Sequence, residues 1–192
     1  MTTEKPAAVK KPARRYFSTF QLILLALMSA LVVVSKIVLH LPLRLPGHSG
    51  LFWMAILVVA HGLVPKRGAL SLVGFTSGLL AAFLGLGDMG PIYTFFSYLA
   101  SGVAVDLIGW FLGGLESIIP ATLAGMFGNV AKMLVKLLMA SAMQIPAGFV
   151  ATGLLFSFLT NTVAGALGGV IGFLILRALR KAGFFAYMEE KR

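Results

Sequence analysis

Residues 20–34 read FQLILLALMSALVVV, and over 17–38 the one full charge is Lys36. At 1.5 Å per residue, a helix of about 20 such residues matches the ~30 Å hydrocarbon thickness of a bilayer. The stretch is therefore expected to cross a membrane. Within it Ala26 and Ala30 lie one helical turn apart on one face, where the lack of bulk lets a second helix approach closely. That face is a candidate docking surface.

The rest of the chain agrees with this reading. Of its 192 residues 59% are hydrophobic and only 11% charged, with a mean hydropathy of +0.96; an ordinary soluble domain carries about 25% charged residues. The composition is that of an integral membrane protein. The absence of cysteine excludes disulfides, thiolate metal ligands and cysteine nucleophiles, and identifies no compartment. A formal charge of +10 would suggest nucleic acid as the partner of a soluble chain. Here its placement has a topological explanation, so no nucleic acid is expected.

Residues 1–16 form a basic tail holding Lys5, Lys10, Lys11, Arg14 and Arg15. The apolar span that follows is longer than a signal-peptide core and has no convincing cleavage site, so the tail is expected to be retained. After the first span, His40-Leu41-Pro42-Leu43-Arg44-Leu45-Pro46-Gly47-His48-Ser49-Gly50 carries two prolines and two glycines that predict a structured loop. A short second span is expected over 51–64, the basic turn Pro65-Lys66-Arg67-Gly68 after it, and a third span over 69–86. Pro91 is well placed to open a fourth span near 92–112. Pro120 opens a fifth that reaches about 143, Gln144-Ile145-Pro146 breaks it, and a sixth runs over 147–176. With the amino terminus inside, 12 of the 16 basic residues fall on the inner side, which the positive-inside rule requires. The expected architecture is an all-α integral membrane bundle of six transmembrane helices over 17–181, both termini cytoplasmic, with a second tail at 182–192. Small residues recur four apart at Gly74 and Gly78, Ser97 and Ser101, Gly165 and Gly169, and Gly168 and Gly172, a spacing that lets helix backbones approach.

Six short spans in fewer than 200 residues, basic ends on one side, Ala26-x-x-x-Ala30 in the first helix and a Pro/Gly loop after it make a recognisable layout. With the segment LVPKRGALSLVG over 63–74 and Val105-Asp106-Leu107-Ile108 in the fourth span, the chain resembles the substrate-binding S component of an energy-coupling factor (ECF) transporter. The resemblance implies a multi-pass protein of the prokaryotic cell (inner) membrane that captures a vitamin or similar micronutrient from outside. It implies partners too: a transmembrane coupling subunit, contacted through Ala26 and Ala30, and ATPase subunits. The chain itself has no G-x-x-x-x-G-K-[ST] phosphate loop, so it is not expected to be the ATP-hydrolysing enzyme. It also implies that the loop between the first two helices closes over the ligand, with His48 and Ser49 as lid contacts.

Candidate ligand-binding residues lie mainly in the outer half. Lys132 and Lys136 are one turn apart in the fifth span, and ionisable groups at such depth suggest a functional site. They could hold a ligand carboxylate or phosphate, snorkel to headgroups, or neutralise Asp106 or Glu116. Asp106 could pair with a lysine, cap a polar network or meet a cationic ligand. Arg44, His48 and Ser49 are lid candidates, or parts of a solvated turn. Trp53 is a stacking platform or an interfacial belt residue. Tyr93, Tyr98, Gln144 and Asn161 add polar groups on the later helices. No metal is expected, because His40, His48 and His61 are the only histidines and His61 falls at the opposite end from the others. Nor is a cofactor expected. Thr2 stands where cobalt and nickel importers place a histidine, and Gly47-His48-Ser49-Gly50 is not a G-x-S-x-G elbow, which makes a serine hydrolase the weakest reading. The rival to a solute-binding subunit is a membrane scaffold or assembly protein acting through helix contacts alone.

Overall fold

The computed structural model describes residues 16–38, 48–87, 89–143 and 147–185, with backbone alone at 48–49 and 147–155. Arg44 and Gln144 lie outside the described residues. The described chain contains six helices, α1 (Thr19–Val38), α2 (His48–Leu63), α3 (Ala69–Phe83), α4 (Pro91–Phe111), α5 (Ile118–Ala142) and α6 (Ala147–Lys181). Four stretches are long and apolar enough to cross a membrane, namely α1, α4, α5 and the Phe156–Lys181 part of α6; α2 and α3 are apolar but shorter.

Each boundary has a local cause. α1 opens on a reciprocal cap: the Gln21 amide donates to Ser18 Oγ at 3.2 Å, and the Ser18 amide donates to Gln21 Oε1 at 3.1 Å, which satisfies two donors that a helix start leaves bare. α3 opens on Gly68 at φ 80°, a left-handed turn that suits glycine. α4 opens with Pro91 at its first position, where the missing N–H costs nothing. α2 begins at His48, three residues before the expected start at 51. The backbone of His48 and Ser49 therefore belongs to a helix and not to the expected loop. Gly50 lies in that first turn because Asn129 of α5 packs directly on it; a Cβ there would overlap the Asn129 amide group.

α2 is the axis of the bundle and touches all five other helices. Its burial follows: Trp53, Met54, Leu57, Val58, Ala60 and Val64 around and just beyond it are buried on all sides, as expected for a helix apolar all round. The closest helix pairs are built on glycine. Gly125 and Gly165 bring the α5 and α6 backbones together, and a Cβ on either would overlap the other's carbonyl oxygen. Gly74 and Gly102 do the same for α3 and α4, and Gly168 and Gly172 seat α6 on α2. The four-residue spacings in α3 and α6 are therefore packing devices. Among the described residues α1 packs against α2 and α3 alone, in part through a hydrogen bond between the Ser29 and Thr76 hydroxyls at 2.6 Å.

The radial distribution of polarity is inverted relative to a water-soluble bundle. Ser29, Ser77, Ser97, Ser101 and Asn129 are buried, while Ile23, Leu27, Phe75, Phe83, Ile92, Phe127, Leu138 and Leu159 are exposed. Such a surface is stable in lipid and not in water. The chain is a membrane-embedded helical protein. Contacts of Tyr16 with Lys66 and Arg67, of His61 with Gly109, and of Arg180 with Glu116 gather one end of every helix at a common basic end.

Candidate functional site

At the end of the bundle away from this basic end, the side chains of α2, α4, α5 and α6 form a buried polar and aromatic cluster. Trp53 of α2 stacks on Tyr98 of α4 with ring centroids 4.2 Å apart and planes 20° apart, and Lys132 of α5 places Nζ 5.1 Å from the Trp53 ring centroid. An ammonium over an indole is favourable because the ring face is negative, and more so where water is excluded. Trp53, only 3% exposed, is thus a buried platform and not an interfacial belt residue.

One turn before Lys132, Asn129 is fully buried. Its Nδ2 donates to the Asn161 main-chain oxygen at 2.7 Å, whereas the Asn161 side chain turns back to donate to Ser157 O at 2.7 Å within α6. Asn161 therefore contributes its carbonyl to the cluster and not its amide. Asn129 Oδ1, Trp53 Nε1, Ser97 Oγ and Thr162 Oγ1 are buried and have no hydrogen-bond partner among the described residues. A buried polar atom left unsatisfied costs about 1–3 kcal/mol, and native proteins hold few of them. Two of these atoms, Asn129 Oδ1 and Trp53 Nε1, belong to residues that contact Tyr98, Lys132 or the Asn161 carbonyl, an arrangement that a bound polar molecule would complete. Tyr93 is buried on α4, one turn nearer its start.

No protein family, no characterised protein and no solved structure matches the chain. The reading of the site accordingly rests on its own geometry.

The two lysines expected to share a face differ in surroundings. Lys132 is half-buried over Trp53, but Lys136 is exposed. Among the described residues Asp106 lines the cleft at the basic end, with no salt bridge to either lysine. Its Oδ1 accepts the Leu70 amide at 3.3 Å, while Oδ2 accepts the Ser71 amide at 2.7 Å and the Ser71 hydroxyl at 2.6 Å. Asp106 thus caps the start of α3, a role not among those expected for it: Leu70 and Ser71 are the second and third residues of α3, whose own N-cap residue Gly68 has no side chain to offer. Among the described residues no group of three or more His, Asp or Glu could hold a metal ion. Asn129 is the cluster member that sequence reasoning missed. Asn129 carried a readable signal, being an uncharged polar residue one turn from Lys132 in an apolar helix.

A separate cleft of about 280 Å³ opens at the basic end, between the ends of α2, α4 and α6 and the 65–67 turn. His61, Asp106, Glu116 and Arg180 lie along it.

Proposed function

We propose that the protein is the substrate-binding subunit of an ECF-type importer, and that the Trp53, Tyr98, Asn129 and Lys132 cluster receives a small solute with an anionic group. The observation that carries this reading is that Asn129 Oδ1 and Trp53 Nε1 are buried without a hydrogen-bond partner among the described residues, with a lysine held over that same indole. A purely structural bundle gains nothing from them, since each is destabilising while empty. In this proposal all six helices cross the membrane, with the basic end and both termini cytoplasmic and the cluster toward the outside. The basic residues at one end support that orientation.

Ala26 and Ala30 support a coupling partner. Both are exposed, and the face of α1 that packs on α2 and α3 carries Leu25, Ser29, Val32 and Val33 instead. They are thus free of internal packing and available to a helix of a transmembrane coupling subunit, with ATP hydrolysis left to that complex. Purifying the protein in mild detergent and analysing it by mass spectrometry tests the reading. A stoichiometric small anion is the expected result, and its release on Lys132→Met would tie it to the cluster. A scaffold protein would carry no such molecule.

A further inference from the structure

The cleft at the basic end has a charge arrangement that neither α-helix packing nor the proposed solute site uses. It contains two carboxylates, Asp106 accepting from the start of α3 and Glu116 paired with Arg180 at 3.4 Å, against the three cations Lys66, Arg67 and Arg180, which leaves it net positive. Two cations in the same cleft have no carboxylate within ion-pair reach among the described residues. Lys66 donates to the Tyr16 main-chain oxygen at 2.6 Å, and the Arg67 guanidinium lies 4.8 Å over the Trp110 ring. Neither contact neutralises charge, and a guanidinium stacked on one face keeps its in-plane N–H donors available for a planar or tetrahedral oxyanion.

A third group converges there. His61 is 9% exposed, and its Nδ1 is buried without a hydrogen-bond partner. The ring is admitted by Gly109, where a Cβ would lie 3.0 Å from the imidazole Cε1. An imidazole nitrogen bearing hydrogen is a donor suited to an anionic oxygen. The volume of 280 Å³ is at the small end for ligand pockets, which suits one compact head rather than a nucleotide. Trp110, an exposed aromatic lining the cleft, is a residue of the kind that settles at headgroup depth.

We propose that this cleft binds a phosphate-bearing anion, with Arg67, Lys66 and His61 as its donors; basic clefts between helices at this depth suit lipid phosphates, and a small soluble phosphate ester presents the same chemistry. The full chain in detergent, with equal phosphatidylglycerol and phosphatidylcholine added, is examined by native mass spectrometry with and without glycerol 3-phosphate. Preferential retention of phosphatidylglycerol is expected. Arg67→Gln should cut it by about 30-fold, as for truncation of one partner of a close charge pair. Arg177→Gln removes the same charge from an exposed position outside the cleft and should cost less than about 5-fold. Glu116→Gln frees Arg180 and should raise retention, a gain that damage to the fold cannot produce. Displacement of the lipid by glycerol 3-phosphate would identify a soluble ester as the ligand, and its failure to displace would identify the lipid; both support the site. Equal losses in Arg67→Gln and Arg177→Gln, or no preference for phosphatidylglycerol together with no binding of glycerol 3-phosphate, would overturn it.

Discussion

Asp106 of α4 closes the open start of α3, its Oδ2 accepting from the Ser71 amide at 2.7 Å and from the Ser71 hydroxyl at 2.6 Å. The carboxylate does from a neighbouring helix what Gly68 cannot do within its own, and its charge meets the positive end of the α3 dipole. The same contact fixes α3 against α4 at one end, while Gly74 and Gly102 hold the two backbones together further along.

Asp106→Ala should therefore lower stability by about 1–3 kcal/mol, the cost of stranding donors that lose a charged acceptor. Asp106→Asn keeps one acceptor oxygen and should lose less. Thermal unfolding in detergent checks the order Ala below Asn below wild type. Because Asp106 lies away from the aromatic cluster, retention of a co-purifying solute by the folded fraction should be unchanged.

Gly165→Val tests the α5 and α6 contact. Any Cβ at Gly165 overlaps the Gly125 carbonyl oxygen, and backbone cannot yield as a flexible side chain can. Overpacking of this kind costs about 1–3 kcal/mol, so the variant should unfold at a lower temperature. Gly113→Val removes a glycine at φ 72° with open space around it, and any loss there reports backbone strain alone.

These contacts show how far the sequence could be read. The order and approximate place of the six helices follow from hydropathy and from Pro and Gly at the breaks, although α2 begins three residues earlier than expected and α6 runs five residues longer. The cap formed by Ser18 and Gln21 is a local S-x-x-Q signature and was open to reading as well. The role of Asp106 was not decidable, since its partners lie 35 and 36 residues away and only helix packing brings them together. The one-turn spacing of Lys132 and Lys136 shows a shared helical face, but only the placement of Trp53 on α2 separates the half-buried lysine from the exposed one. Equally, Trp53 as belt or platform depended on Tyr98, a residue of another helix.

Ala26→Leu combined with Ala30→Leu should leave folding and solute retention intact, because both positions are exposed and outside the α1 packing face. Uptake in cells supplying the partner subunits should be abolished if a coupling helix docks there, since leucine removes the close approach that small side chains allow. Loss of thermal stability in the isolated double variant would show instead that the alanines pack within the protein.

Lys132 and Lys136 give the sharpest test of the solute site because they carry the same charge, one turn apart, in different surroundings. Methionine retains an apolar stem and removes the ammonium. At Lys132 that ammonium lies 5.1 Å from the Trp53 ring centroid, one helical turn from the buried Asn129. Lys132→Met should weaken affinity for an anionic solute by about 2 kcal/mol or more, near 30-fold, since losing one partner of a buried charge pair costs 2 to 5 kcal/mol. Lys136 is exposed, so Lys136→Met should change affinity by less than about 2-fold, the scale of an exposed ion pair. Trp53 emission, read in a Trp110→Phe background, should shift on Lys132→Met alone, because only that ammonium perturbs the indole. The two variants are compared by the amount of co-purifying solute per mole of folded protein. Equal retention in a stable Lys132→Met protein would remove the lysine from the site and leave the aromatic stack as a packing element.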